Sequence, residues 1–95
     1  MTTATPVRKT YRSRSGRHYF KFDFLPAGTH IDIYCPVHPG LNGRDSSVTK
    51  THLYDSGQIC FVEGQEPRSQ REAEHRAAQW AEYYLNYIAT GSSGG

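Results

Sequence analysis

The stretch from Tyr19 to Cys35 restricts this chain more than any other part of it. Phe20, Phe22 and Phe24 alternate with Tyr19, Lys21 and Asp23, a period of two that sends the phenylalanines to one side of an extended backbone and the polar residues to the other. Leu25-Pro26-Ala27-Gly28 reads as a turn. A second alternating run places Ile31, Ile33 and Cys35 on one face and His30, Asp32 and Tyr34 on the other. Two half-apolar strands joined so closely pair as an antiparallel hairpin, and the apolar face they share needs a cover.

The cover is written at the C-terminal end. Ser69-Gln70-Arg71-Glu72 has the capping-box form, in which the Ser side chain and the Glu three residues on satisfy the exposed amides of a helix start. Ala73, Ala77, Trp80, Ala81, Tyr84 and Ile88 then recur at spacings of three and four, giving one apolar stripe, while Glu72 and Arg76 form a favourable i,i+4 pair on the outer side. Gly91 occupies the position of a terminating C′ residue. About twenty helical residues span roughly 30 Å, enough to cross a small sheet.

Between these parts, the prolines of Cys35-Pro36-Val37-His38-Pro39-Gly40 stop the second strand, because proline cannot donate to a ladder. A polar loop follows to Asp45. Val48, Thr49 and Thr51 permit a third short strand, Ile59 to Val62 a fourth, and Glu63 to Pro67 read as a polar linker. The expected architecture is α+β, a small antiparallel sheet of about four strands covered on one face by one long C-terminal helix. Residues 17–91 make that domain. Residues 1–16, rich in Thr, Ser, Arg and Pro, read as a flexible basic arm, and residues 92–95 as a flexible tail.

Ninety-five residues suffice for one domain with a small core, and seven Tyr and four Phe supply side chains large enough to fill it. No apolar run approaches the roughly 18–20 residues that span a bilayer, and the N-terminus lacks the apolar segment of a secretory signal, so a cytoplasmic location without a membrane partner is expected. In that compartment two cysteines serve as free thiols, metal ligands or catalytic groups more readily than as a disulfide. The net charge of +2 does not by itself imply nucleic-acid binding. Yet Arg8, Lys9, Arg12, Arg14 and Arg17 crowd the first seventeen residues with no acidic residue among them, a weak signal for contact with phosphates or another anionic partner.

The densest chemistry lies from Thr51 to Phe61. Asp55-Ser56-Gly57 is a turn, since Asp can bond its own backbone two residues on and Gly supplies positive φ. His52 and Cys60 then face each other across it, and Cys60 sits where turn becomes strand, held rigidly but near solvent. A thiolate is a strong nucleophile, and an ordinary thiol of pKa near 8.5 is a few per cent ionised at neutral pH.

The string His52-Leu53-Tyr54-Asp55-Ser56-Gly57-Gln58-Ile59-Cys60-Phe61 resembles the active-site segment of the ubiquitin-conjugating enzyme (UBC-like) fold, and more closely that of its bacterial relatives. Ile33-Tyr34-Cys35-Pro36 and the Trp/Tyr-rich run from Ala78 to Leu85 are similar to the Pro-terminated strand and the helix of that group. The resemblance spans roughly Phe20 to Ile88 and describes a trimmed version of the fold. It implies a transferase in which Cys60 receives the C-terminal acyl group of a ubiquitin-like modifier as a thioester, from an activating enzyme, and passes it to an amine. It also implies His52 as the histidine that opens the motif. Where the eukaryotic enzymes carry a supporting Asn this chain has Leu53-Tyr54, so Tyr54 or a backbone amide of the Gly57 turn takes the oxyanion-supporting role.

Two other classes use the same residues. Cys35, His38, His52 and Cys60 supply two thiols and two imidazoles, the inventory of a tetrahedral zinc site that would help a short chain stay folded. Alternatively, the Tyr-rich surface makes the domain a non-enzymatic module for a protein partner, because exposed Tyr favours interfaces.

Overall fold

The computed structural model describes residues 5–92. Three strands, β1 (Val7–Arg12), β2 (Tyr19–Ala27) and β3 (His30–Val37), form an antiparallel sheet in the order β1-β2-β3, followed by a single helical turn, α1 (Val48–Thr51), and a long helix, α2 (Gln70–Thr90). The protein is therefore α+β, with a three-stranded antiparallel sheet and a C-terminal helix.

The β2–β3 hairpin forms as its alternation demands. Phe24 faces Ile33 and Leu25 faces Asp32 in register, and Phe20, Phe22, Phe24, Ile33 and Cys35 are all sealed from solvent. Both strands outrun their expected ends. β2 continues through Leu25-Pro26-Ala27, leaving Gly28 and Thr29 to make the turn, and β3 passes Pro36 to reach Val37. The missing Pro36 N–H does not end β3, since an irregularity opposite it, between Lys21 and Asp23, already interrupts the ladder.

Helix α2 lies over the phenylalanine face. Ala73, Ala77 and Ala81 are buried and small enough to let the helix approach, while Trp80 meets Phe20 and Phe22 edge to face at 5.9 and 6.1 Å, and Tyr84 meets Phe20 at 6.1 Å. Each buried phenylalanine is worth roughly 1.5–3 kcal/mol. The ends are built as the sequence requires: Ser69 Oγ accepts from the Glu72 amide at 3.1 Å, and Gly91, at φ 77°, closes the helix with its N–H on the Tyr87 carbonyl.

Three expectations need correction. The stretch read as a flexible arm forms β1 from Val7 to Arg12, paired along β2 with Lys9 opposite Phe22 and Tyr11 opposite Phe20. Its tie is chemical as well as geometric: Arg8 grips Asp23 with two bonds of 2.6 and 2.8 Å, and Tyr11 donates to Glu82 of α2 at 2.5 Å. The expected third strand is instead α1, because Thr51 folds its hydroxyl back onto the Ser47 and Leu53 carbonyls. The expected fourth strand reduces to isolated bridges, Tyr34 with Gln58 and Leu53 with Ile59. Residues 1–4 of the expected arm and 93–95 of the expected tail lie outside the described residues. Among the described residues no helix is long and apolar enough to cross a membrane.

The segment from 38 to 68 has almost no regular structure, and α2 holds it by side chains. Trp80 Nε1 donates to the Thr51 carbonyl at 2.9 Å, Tyr84 to Pro39 at 2.6 Å, Tyr87 to Asp45 at 2.7 Å and Tyr83 to Lys50. In return Arg44 from the loop donates to the Ile88 and Ala89 carbonyls at 3.3 and 3.1 Å. A buried carbonyl without a partner is costly, so aromatic donors at positions 80, 83, 84 and 87 do for this segment what a ladder does for the sheet.

Candidate functional site

The residues from His52 to Cys60 form a tight reversal. The Cys60 amide donates to the His52 carbonyl at 2.8 Å, Tyr54 N–H to Gln58 at 2.9 Å, and Gly57 N–H to Tyr54 at 2.9 Å across the turn, where Gly57 takes φ 90°. This reversal docks on the edge of β3, with the Cys35 amide on the Gly57 carbonyl and the Ile59 amide on the Ile33 carbonyl, both at 2.8 Å. Ile59 is buried as the anchor. Cys60, the next residue, therefore points away from the core into an open cleft of about 490 Å³.

His52, Tyr54 and Cys60 all line that cleft, together with Val48 and Thr49 of α1, Phe61, Val62, Gln65 and Arg76 of α2. The Cys60 thiol is free and half-buried. Its polar neighbours among the described residues are the Tyr54 hydroxyl and the Phe61 carbonyl, the latter 4.0 Å away. The Tyr54 phenol is raised above its ordinary pKa, chiefly by the neighbouring Cys60 sulfur. His52 caps α1 in the left-handed conformation, φ 56°, and lays its imidazole against the Tyr83 ring at 5.3 Å. His52 reaches Cys60 through its backbone, its carbonyl accepting from the Cys60 amide.

Of the backbone amides in the Gly57 turn, that of Gly57 itself is engaged by the Tyr54 carbonyl. The Tyr54 side chain is exposed on the cleft. Arg76, read from sequence as the partner of Glu72, instead holds its guanidinium 4.8 Å over the Phe61 ring and so brings a positive charge to the cleft wall. Val48 and Thr49 were hidden in the sequence by their β-branching, which suits a strand. Thr51, buried beneath the site, accepts the Leu53 amide at 3.1 Å and fixes where the reversal begins.

Cys35 has the opposite surroundings. It is 1% exposed, donates to the Val37 carbonyl at 3.3 Å, and burial pushes its thiol up to about 12. His38 sits beside Tyr84, with Nδ1 2.9 Å from the Pro39 carbonyl. Among the described residues no three His, Cys, Asp or Glu side chains gather as a metal ion would require, and Cys35, His38, His52 and Cys60 are divided between core, loop and cleft.

The chain matches no family model, no curated protein and no solved structure in comparisons with known proteins. The reading of the site therefore rests on the residues and geometry described above.

Proposed function

We propose that this domain is a cysteine-dependent acyl carrier or transferase, related in plan to a trimmed UBC-like domain, with Cys60 as the nucleophile. The observation that carries the reading is a half-buried free thiol in an open cleft whose lining includes Tyr54 and His52. In the first step the Cys60 thiolate attacks the carbonyl of an acyl thioester on a donor protein, and the C–S bond to the donor breaks with release of the donor thiolate. In the second an amine attacks the new thioester, the Cys60 C–S bond breaks, and the amine's proton leaves to water or His52. Tyr54 donates to the oxyanion as the carbonyl is attacked, an effect worth roughly 3–4 kcal/mol per donor. Tyr54 thus supplies the support that an Asn gives in the eukaryotic enzymes. The partners are a ubiquitin-like modifier and its activating enzyme. A nucleophilic thiol of this kind belongs to a reducing compartment, the cytoplasm.

A second reading has its own observation. Tyr54 and Val62, both on the cleft, are 45% and 68% exposed, an apolar presentation that suits docking of a protein segment without chemistry. The test separates the two. Incubation with a glycine-terminated peptide thioester is expected to add one acyl group to Cys60, read by intact mass and peptide mapping and reversed by hydroxylamine. Tyr54→Phe is expected to slow transfer about a hundredfold or more, and Cys60→Ala to abolish it. Absence of any adduct while Cys60→Ala retains partner binding would leave the docking module as the function.

A further inference from the structure

The basic residues of the N-terminal region separate into two sets. Arg8 is bound by Asp23, and Lys9 lies 3.8 Å from Glu74. Arg12, Arg17 and Lys21 pair with no acidic side chain among the described residues. Arg12, whose guanidinium donates to the Gly16 carbonyl at 3.3 Å, Arg14 and Arg17 lie at the β1–β2 turn, and Lys21 follows two residues after Tyr19 on the same face of β2. Glu82 of α2, beneath this turn, already accepts from the Tyr11 hydroxyl and the Arg14 amide. Arg12, Arg14 and Arg17 are exposed and Lys21 is half-buried, and of these Arg14 lies near enough to Glu82 to feel its charge.

An aromatic surface accompanies them. Tyr19 is 54% exposed and stands directly opposite Arg12 in the β1–β2 register, on the sheet face away from α2. Beside it, Arg17, Tyr19 and His38 line a groove of about 230 Å³. His38 is fixed there through Nδ1, which leaves Nε2 as the ring nitrogen for a ligand. None of these residues lines the Cys60 cleft.

We propose that this end of the sheet binds single-stranded nucleic acid. Arg12, Arg14, Arg17 and Lys21 meet successive phosphates, and a base stacks on Tyr19 with its edge toward His38. Charge alone would suit any polyanion. The exposed ring across from an arginine selects one that carries planar groups, and a duplex cannot offer them because its bases are stacked inside.

The probe is a fluorescein-labelled twelve-nucleotide oligothymidylate, followed by anisotropy against salt. Four phosphate contacts on a single strand give a log–log salt slope of about −3, a loss of about fiftyfold between 50 and 200 mM. The triple variant Arg12→Gln, Arg14→Gln, Arg17→Gln should reduce that slope by about 2. Tyr19→Ala should weaken binding about tenfold and leave the slope unchanged, with Tyr19→Phe close to wild type. Far-UV circular dichroism and Trp80 fluorescence verify that each variant is folded. Failure of the wild-type protein to bind the oligonucleotide would overturn the proposal. So would equal binding of a duplex of the same length with Tyr19→Ala neutral, or binding of phosphatidylserine vesicles in place of the oligonucleotide.

Discussion

The two halves of this protein are held by different physics. In the sheet and the face of α2 that covers it, backbone ladders satisfy the peptide groups and alternating phenylalanines supply the burial. From 38 to 68 the ladder shrinks to isolated pairings such as Gly57 with Cys35 and Ile59 with Ile33, and further carbonyls are met one by one by Trp80, Tyr83, Tyr84 and Tyr87. The sheet half is cooperative, since each pairing supports the next. The loop half is a sum of separate attachments, and the candidate site sits there. Such a division leaves a rigid platform under a segment of lower local stability.

Removing a sheet residue should therefore collapse both halves. Phe22→Ala, at the centre of the aromatic stack, is expected to cost about 3–5 kcal/mol in denaturant titrations, with sheet and loop unfolding in one transition. Separate transitions would contradict the dependence of the loop on the sheet.

Alkaline pH loads the core in a second way. Burial raises Cys35 from 9.0 to about 12, so above pH 9 the unfolded chain releases a proton that the folded one retains. Stability is then full below pH 9 and falls as pH rises toward 12, by about 2–3 kcal/mol at pH 11 from this group alone. Burial raises Tyr84 to about 12 as well, which extends the same loss. Thermal unfolding of the wild type against Cys35→Val measures the cysteine's share, and an equal slope in both would contradict it.

The loop half should respond locally. Trp80→Phe keeps an aromatic ring against Phe20 and Phe22 but strands the Thr51 carbonyl, a loss of about 1–3 kcal/mol. Hydrogen exchange is expected to quicken in residues 47–54 and to stay unchanged in β2 and β3. Smaller still is His52→Gly. The left-handed backbone at this position favours glycine, which offsets the lost packing on Tyr83, so stability should change by less than about 1 kcal/mol. Any larger effect on acyl transfer then belongs to the imidazole.

The same division governs what the sequence discloses. The Phe20-Phe22-Phe24 alternation, the Ser69 cap, the alanine stripe and Gly91 each act through neighbours a few residues away, and each is legible. β1 is not, because its apolar content is slight and its pairing depends on Asp23 and Glu82, far along the chain. Val48 to Thr51 reads as a strand by residue type and becomes a helical turn through the Thr51 hydroxyl and the Trp80 indole. For the site, the Asp55 to Gly57 turn brings His52, Tyr54 and Cys60 to one cleft in line with the local reading. That Val48 and Thr49 of α1 line the same cleft, and that Arg76 closes its wall, are tertiary facts with no local signature.

The two cysteines give the most direct test. With limiting iodoacetamide on the native protein near neutral pH, peptide mapping should find Cys60 alkylated at the rate of an accessible thiol. Cys35, sealed and with its thiol near 12, should react about a thousandfold more slowly until denaturant is added. Equal protection of both cysteines would contradict a Cys60 thiol open to the cleft, and the acyl-transfer proposal with it.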